Sequence, residues 1–271
     1  LTAAAFGQTR DIVPEKTWEA RQPPAQAASA AKPAYRPVGA AARRPGGRQI
    51  GVTIWRLRAA RPGDGGARIL VQEAAATTEL VPERVSSDSS LRAGDRVRVS
   101  IESPDAGYLY VIDRERYRSG ERGEPWLIFP TSRTRGGDNR VAAGKLIEIP
   151  GQADQPNFFT LRPGRHDESE EELTVLLTSA PLPGIALQAS ALKLTDGQVA
   201  EWEQRWGSAA VDRFELSGGA GQVWTRAEQQ AGAATRLLTQ DDPPPQTVYR
   251  VAVKPGEPLL VKVRLRYGAR P

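Results

Sequence analysis

Hydrophobic and polar residues alternate with a period of two along much of this chain. In "DRVRVSIE" (95–102), Val97, Val99 and Ile101 fall on one face and Arg96, Arg98 and Ser100 on the other. That pattern predicts a strand with one face in a core and one in water. "YLYVID" (108–113) and "PWLIFP" (125–130) are apolar on both faces and predict central strands covered on both sides. "IGVTIWRLR" (50–58), the turn "RPGDGG" and "ARILVQE" (67–73) predict a hairpin. "KLIEIP" (145–150), "NFFTL" (157–161) and "LTVLLT" (173–178) continue the series. At the C-terminal end "PLLVKVRLRY" places Leu259, Val261, Val263, Leu265 and Tyr267 on one face.

The period changes twice. In "LTDGQVAEWEQRWGS" (194–208), Val199, Trp202 and Trp206 follow helical spacing behind a capping Thr195 or Asp196. In "WTRAEQQAG" (224–232), Thr225 stands three residues before Glu228, the spacing of a capping box. Short, regularly spaced strands with two short helices in the C-terminal third predict a mainly antiparallel β-sandwich, immunoglobulin-like or jelly-roll-like.

Residues 9–48 are rich in proline and alanine and keep neither period, so they are expected to be a linker outside a single domain spanning 49–271. The opening "LTAAAFGQ", with small residues at Ala3 and Ala5, resembles the end of a secretory signal. On that reading the protein is exported, to the periplasm or beyond the cell. No run reaches the ~18 apolar residues of a membrane span.

The formal charge is +5, which raises the question of nucleic acid. Residues 1–48 hold eight basic and three acidic side chains, which is the whole excess; the other 223 residues carry 29 of each. A nucleic-acid-binding domain concentrates positive charge on its folded part, so nucleic acid is not expected as a partner. Cysteine is absent, which excludes disulfides, thiolate metal sites and cysteine nucleophiles. No cofactor or metal is expected. The acidic run Asp167–Glu172 lacks calcium-loop spacing and is read as a solvated hairpin tip.

Catalytic signals are few. His166 is the only histidine, lies in a polar turn-rich stretch and has no Gly-x-Ser-x-Gly elbow to serve. The carboxylates Asp113 with Glu115, or Glu201 with Glu203, are available for glycoside chemistry, but nothing in the pattern singles them out. One loop end is more informative. The turn "SPDAG" (103–107) and the loop "TSRTRGGDNRVAAG" (131–144) are expected at the same end of the sandwich. Together they would gather Arg133, Arg135, Gly136, Gly137, Asp138, Arg140 and Asp105 as an anion-binding site of arginine forks and glycine amides.

The run from "LRAGDRVRVSIESPDAGYLYVIDRE" to "EELTVLLTSAP" resembles an uncharacterised bacterial family, the domain of unknown function 4384. The resemblance rests on Gly94–Val97, Gly107–Val111, Phe129–Pro130, Asn139–Val141, Gly144 and Ile149–Pro150, and covers about residues 85–180. Residues 185–271 fall outside it. Such domains are often appended to signalling, peptidase-like or envelope-associated modules, so the resemblance implies an accessory role and supplies no catalytic residues. The expectation is an exported, non-enzymatic binding or assembly module of the bacterial cell envelope, with a protein or envelope polymer as partner. The alternative is a carboxylate-dependent hydrolase of an envelope polymer.

Overall fold

The computed structural model of the protein describes residues 35–38, 47–73 and 76–268. The signal-like opening and most of the expected linker lie outside the described residues.

Sixteen strands and two helices follow one another among these residues. The strands are β1 (Tyr35–Pro37), β2 (Arg48–Ala59), β3 (Ile69–Glu73), β4 (Ala76–Val85), β5 (Ser90–Leu91), β6 (Arg96–Glu102), β7 (Gly107–Tyr117) and β8 (Trp126–Phe129). They continue as β9 (Arg140–Val141), β10 (Leu146–Ile149), β11 (Phe159–Thr160), β12 (Glu168–Thr178) and β13 (Leu192–Lys193). After helix α1 (Asp196–Trp206) come β14 (Val211–Leu216), helix α2 (Arg226–Gly232), β15 (Thr247–Val251) and β16 (Leu259–Tyr267).

Two sheets make a mainly β sandwich. The first runs β1-β14-β15-β2-β4-β3, with β6 on the other side of β2 and β10 and β11 beyond β6. The second runs β13-β8-β7-β12-β16-β5, with β9 on the start of β7. One pair, β5 with β16, is parallel, so the sandwich is mixed and not wholly antiparallel. The core between the sheets is built by period-two alternation: Ile50, Val52, Val97, Val99 and Ile101 from one sheet meet Val111, Leu173, Val175, Val261 and Val263 from the other. Burial of this apolar area is the main stabilising term.

Both outer faces are also covered in part. Helix α1, capped by Thr195 and Gln198, lays Val199, Trp202 and Trp206 on Ile112, Leu127, Leu176 and Leu260 of the second sheet. On the first sheet, Trp55, Leu57, Ile69 and Leu80 pack round Trp224, and α2 follows directly, capped by Thr225 and Glu228.

Three expectations need correction. The hairpin of 50–58 with 67–73 does not form: β3 pairs with β4, and it is β4 that lies beside β2. The "RPGDGG" segment is folded back instead, with the Arg58 guanidinium donating to both oxygens of Asp64. The linker reading of 9–48 misses β1, which pairs with β14, and Arg48, which opens β2 and is buried. An edge strand needs only backbone pairing, so proline-rich composition conceals it. The water-facing assignment of Arg98 and Ser100 also fails, because both are buried beneath the layer that contains α2.

Candidate functional site

The strand order brings the two predicted loops together. β6 and β7 belong to different sheets, so the 103–106 turn crosses between them at one end of the sandwich. β9 pairs with the first residues of β7, Gly107 opposite Val141 and Tyr108 opposite Arg140. The Gly144 amide donates to the Ser103 carbonyl at 2.8 Å, which ties the long loop to the turn. Gly107 lets the end of β12 pass close to β7, since a Cβ there would lie 2.5 Å from the Thr178 carbonyl oxygen.

The individual side chains divide. Arg133 and Arg140 are exposed, and neither has a carboxylate partner among the described residues. Arg135 is half-buried in the left-handed region at φ 49°, its amide donating to Asp154 Oδ1 at 3.0 Å. Its Nη1 is sealed from solvent without an acceptor. Asp138 is exposed and accepts the Arg140 amide at 3.0 Å. Asp105 is not part of the basic cluster electrostatically, because it is held by Arg48 Nε at 2.8 Å. Gly136 and Gly137 both take positive φ, but the Gly137 amide donates to the Thr134 carbonyl at 2.9 Å. The amide contribution expected from that pair is thus largely spent inside the turn. Leu187, an exposed apolar side chain, lies against Gly137. The loop therefore carries two exposed arginines without carboxylate partners among the described residues, and an apolar contact at Gly137.

The opposite end holds what sequence reasoning missed. The run 167–172 is not a solvated tip: Glu168, Glu171 and Glu172 are buried at the start of β12. Glu172 faces outward and is neutralised by Arg122 and Lys262 at 2.8 and 3.2 Å, which hold its carboxyl below the ordinary range against burial. Glu171 faces inward, directly opposite Glu115 on β7. Burial first, then Asp113 and Glu168, push its carboxyl up to about 9. Burial likewise pushes Asp113 up to about 6 and raises Glu168. Tyr267 donates to Glu171 Oε1 at 2.9 Å, and Tyr117 donates to Glu115. A cleft of about 160 Å³ adjoins this cluster, lined by Glu168, Tyr267, His166, Arg118 and Arg165. A signal was present in the sequence: Glu171 shares the parity of Leu173, Val175 and Leu177, and Asp113 that of Leu109 and Val111.

The remaining candidates are plain. His166 is exposed on the loop before β12. Glu201 is exposed on α1, whereas Glu203 pairs with Arg122 and Lys262 at 3.1 and 2.8 Å and does not point freely to water. Among the described residues no helix is long and apolar enough to cross a membrane.

No curated protein and no solved structure matches the chain. Residues 90–181, which include the crossing turn, the basic loop and the acidic β12, match the family model described as "Domain of unknown function (DUF4384)", about a third of the chain.

Proposed function

We propose that the protein is a non-enzymatic binding module that captures an anionic group of a partner at the 131–144 loop. The observation that carries this reading is that one braced loop presents both Arg133 and Arg140, exposed and without carboxylate partners among the described residues. A guanidinium offers planar two-point donation to carboxylate or phosphate. The loop is braced by the Gly144–Ser103 hydrogen bond and by Ser132 N donating to Gln188 O at 2.7 Å, so little ordering entropy is lost on binding. Leu187 adds an exposed apolar contact at Gly137 of the same loop, which suits an acidic peptide better than a free anion. Export and an envelope partner belong to the same proposal and rest on the sequence alone.

Calorimetric titration with an acidic peptide containing apolar residues, and separately with inorganic phosphate, tests it. Peptide binding that weakens with salt and disappears in Arg133→Glu/Arg140→Glu is expected. Unchanged peptide affinity in that variant contradicts the reading.

A carboxylate-dependent hydrolase is the second reading, favoured by Asp113 and Glu171, whose environments push two neighbouring acids to about 6 and about 9. Only Glu168 of that cluster lines the cleft, which makes this the weaker of the two.

A further inference from the structure

At the end of the sandwich away from the basic loop, the core turns from apolar to acidic. Asp113 and Glu115 continue the inward parity of β7, and Glu171 that of β12, with Glu168 beside a bulge at residues 168–170. Three oxygens of this cluster, Asp113 Oδ1, Glu168 Oε1 and Glu171 Oε2, are buried and have no hydrogen-bond partner among the described residues. Other oxygens of the cluster do accept: Tyr267 donates to Glu171 Oε1, Tyr117 to Glu115 Oε2, and the Gly164 amide to Glu168 Oε2 at 2.6 Å.

Among the described residues no cation compensates from inside. Arg114 is engaged with Asp196 at the foot of α1, and Arg116 lies 3.9 Å from the outward Glu172. Lys262, Arg264 and Arg266 on β16 serve Glu170, Glu172, Glu203 and Asp88. In the covering loops, Arg165 stacks 4.0 Å over Tyr117 while pairing with Glu121 and Asp167, and Arg118 and His166 are exposed at the cleft. β5 contributes the apolar Leu91. Among the described residues no group of acidic or histidine side chains is spaced to hold a metal ion. Adjacent buried carboxyls without a cation cannot all ionise, and each oxygen lacking a donor is satisfied when its neighbour keeps a proton.

Two loops sit directly on this cluster. Gly123 donates its amide to the Glu115 carbonyl at 2.9 Å, and Gly164 passes so close that a Cβ would lie 2.7 Å from Glu115 Oε1. The loops also hold each other, through Arg118 N to Asp167 O at 2.9 Å and Arg165 to Glu121 at 3.1 Å.

We propose that this end of the sandwich is a proton-operated latch: protons shared among Asp113, Glu168 and Glu171 keep loops 118–124 and 162–167 closed, and their loss opens the loops. Deprotonation leaves like charges in a low-dielectric site, and hydration relieves them by the path of least packing, through the cleft beside Glu168 and Tyr267. The latch then senses alkalinity, closing in acid and opening in base.

The test is a carbon-13 titration of the carboxyl groups in the whole chain, with amide protection of Gly164 and Arg118, corrected for intrinsic exchange, followed over the same pH range. Glu171 and Asp113 are expected to titrate well above the ordinary ~4 of a free carboxyl, with protection falling at least tenfold as they lose their protons. Glu171→Gln and Asp113→Asn, which keep the shape but not the titration, are each expected to reduce that pH dependence. Asp113, Glu168 and Glu171 all titrating near ~4, or protection that is independent of pH, overturns the latch; so does unaltered pH dependence in both variants.

Discussion

Arg98 and Glu148 meet at 3.0 Å on neighbouring strands, and each side chain is only 2% exposed. Arg98 also donates to the Pro150 carbonyl at 2.9 Å and stacks 5.4 Å from the Trp224 ring, while Gln152 donates to Glu148 at 2.9 Å. A strand face that looks polar in the sequence is thus the floor of a second, ionic core beneath α2.

Arg98→Glu is therefore expected to cost at least ~3 kcal/mol, because it buries two carboxylates with no cation. Val99→Asp, on the apolar face of the same strand, is expected to cost a comparable amount. Urea unfolding midpoints check both. The double variant Arg98→Met/Glu148→Leu is expected to recover most of the loss, since removing both charges removes the desolvation penalty.

Glu228 has two partners, capping Thr225 at the start of α2 and pairing with the buried Arg84. Glu228→Ala is expected to destabilise by about 3–5 kcal/mol, more than the ~1 kcal/mol of a lost cap alone. The contrast with Gln198→Ala on the exposed cap of α1, expected at or below ~1 kcal/mol, is read from thermal melts.

Stability is expected to fall as pH rises from 5 to 9. Glu171 and Asp113 hold protons more tightly when folded, at about 9 and about 6, than the ordinary carboxyl does. Their contribution is fully present below the unfolded value of ~4 and is lost as pH climbs through the folded values, by roughly 5 kcal/mol between pH 5 and 8. Glu83, Glu172 and Glu203 are shifted downward, so their contribution is lost only on the acid side. Glu171→Gln is expected to flatten the slope in melting temperature above pH 5.

Much of the strand and helix pattern was legible because alternation and capping are local. "RVRVSIE" became β6, and Thr225 with Glu228 opened α2 as their spacing required. What covers a face is not local. Arg98 lies among residues brought from positions 148 and 224, and period two reports polarity without saying whether water or an ion pair satisfies it. The acidic run failed for a related reason: six polar residues read as solvated, although their parity divides Glu171 inward from Glu172 outward. At the basic loop, proximity was legible from strand order. The capture of Asp105 by Arg48 was not, because Arg48 belongs to a stretch read as linker.

Chemical-shift mapping of the nitrogen-15-labelled protein with an acidic, apolar-containing peptide tests the central claim, that the basic loop end is the binding surface. The account expects perturbations confined to Ser132–Arg140, Leu187 and the 103–107 turn, lost in Arg133→Glu/Arg140→Glu. That variant's melting should stay within about 0.5 kcal/mol of the parent, as for other exposed substitutions. Perturbations centred on His166, Glu168 and Tyr267, or none at millimolar peptide, would contradict it.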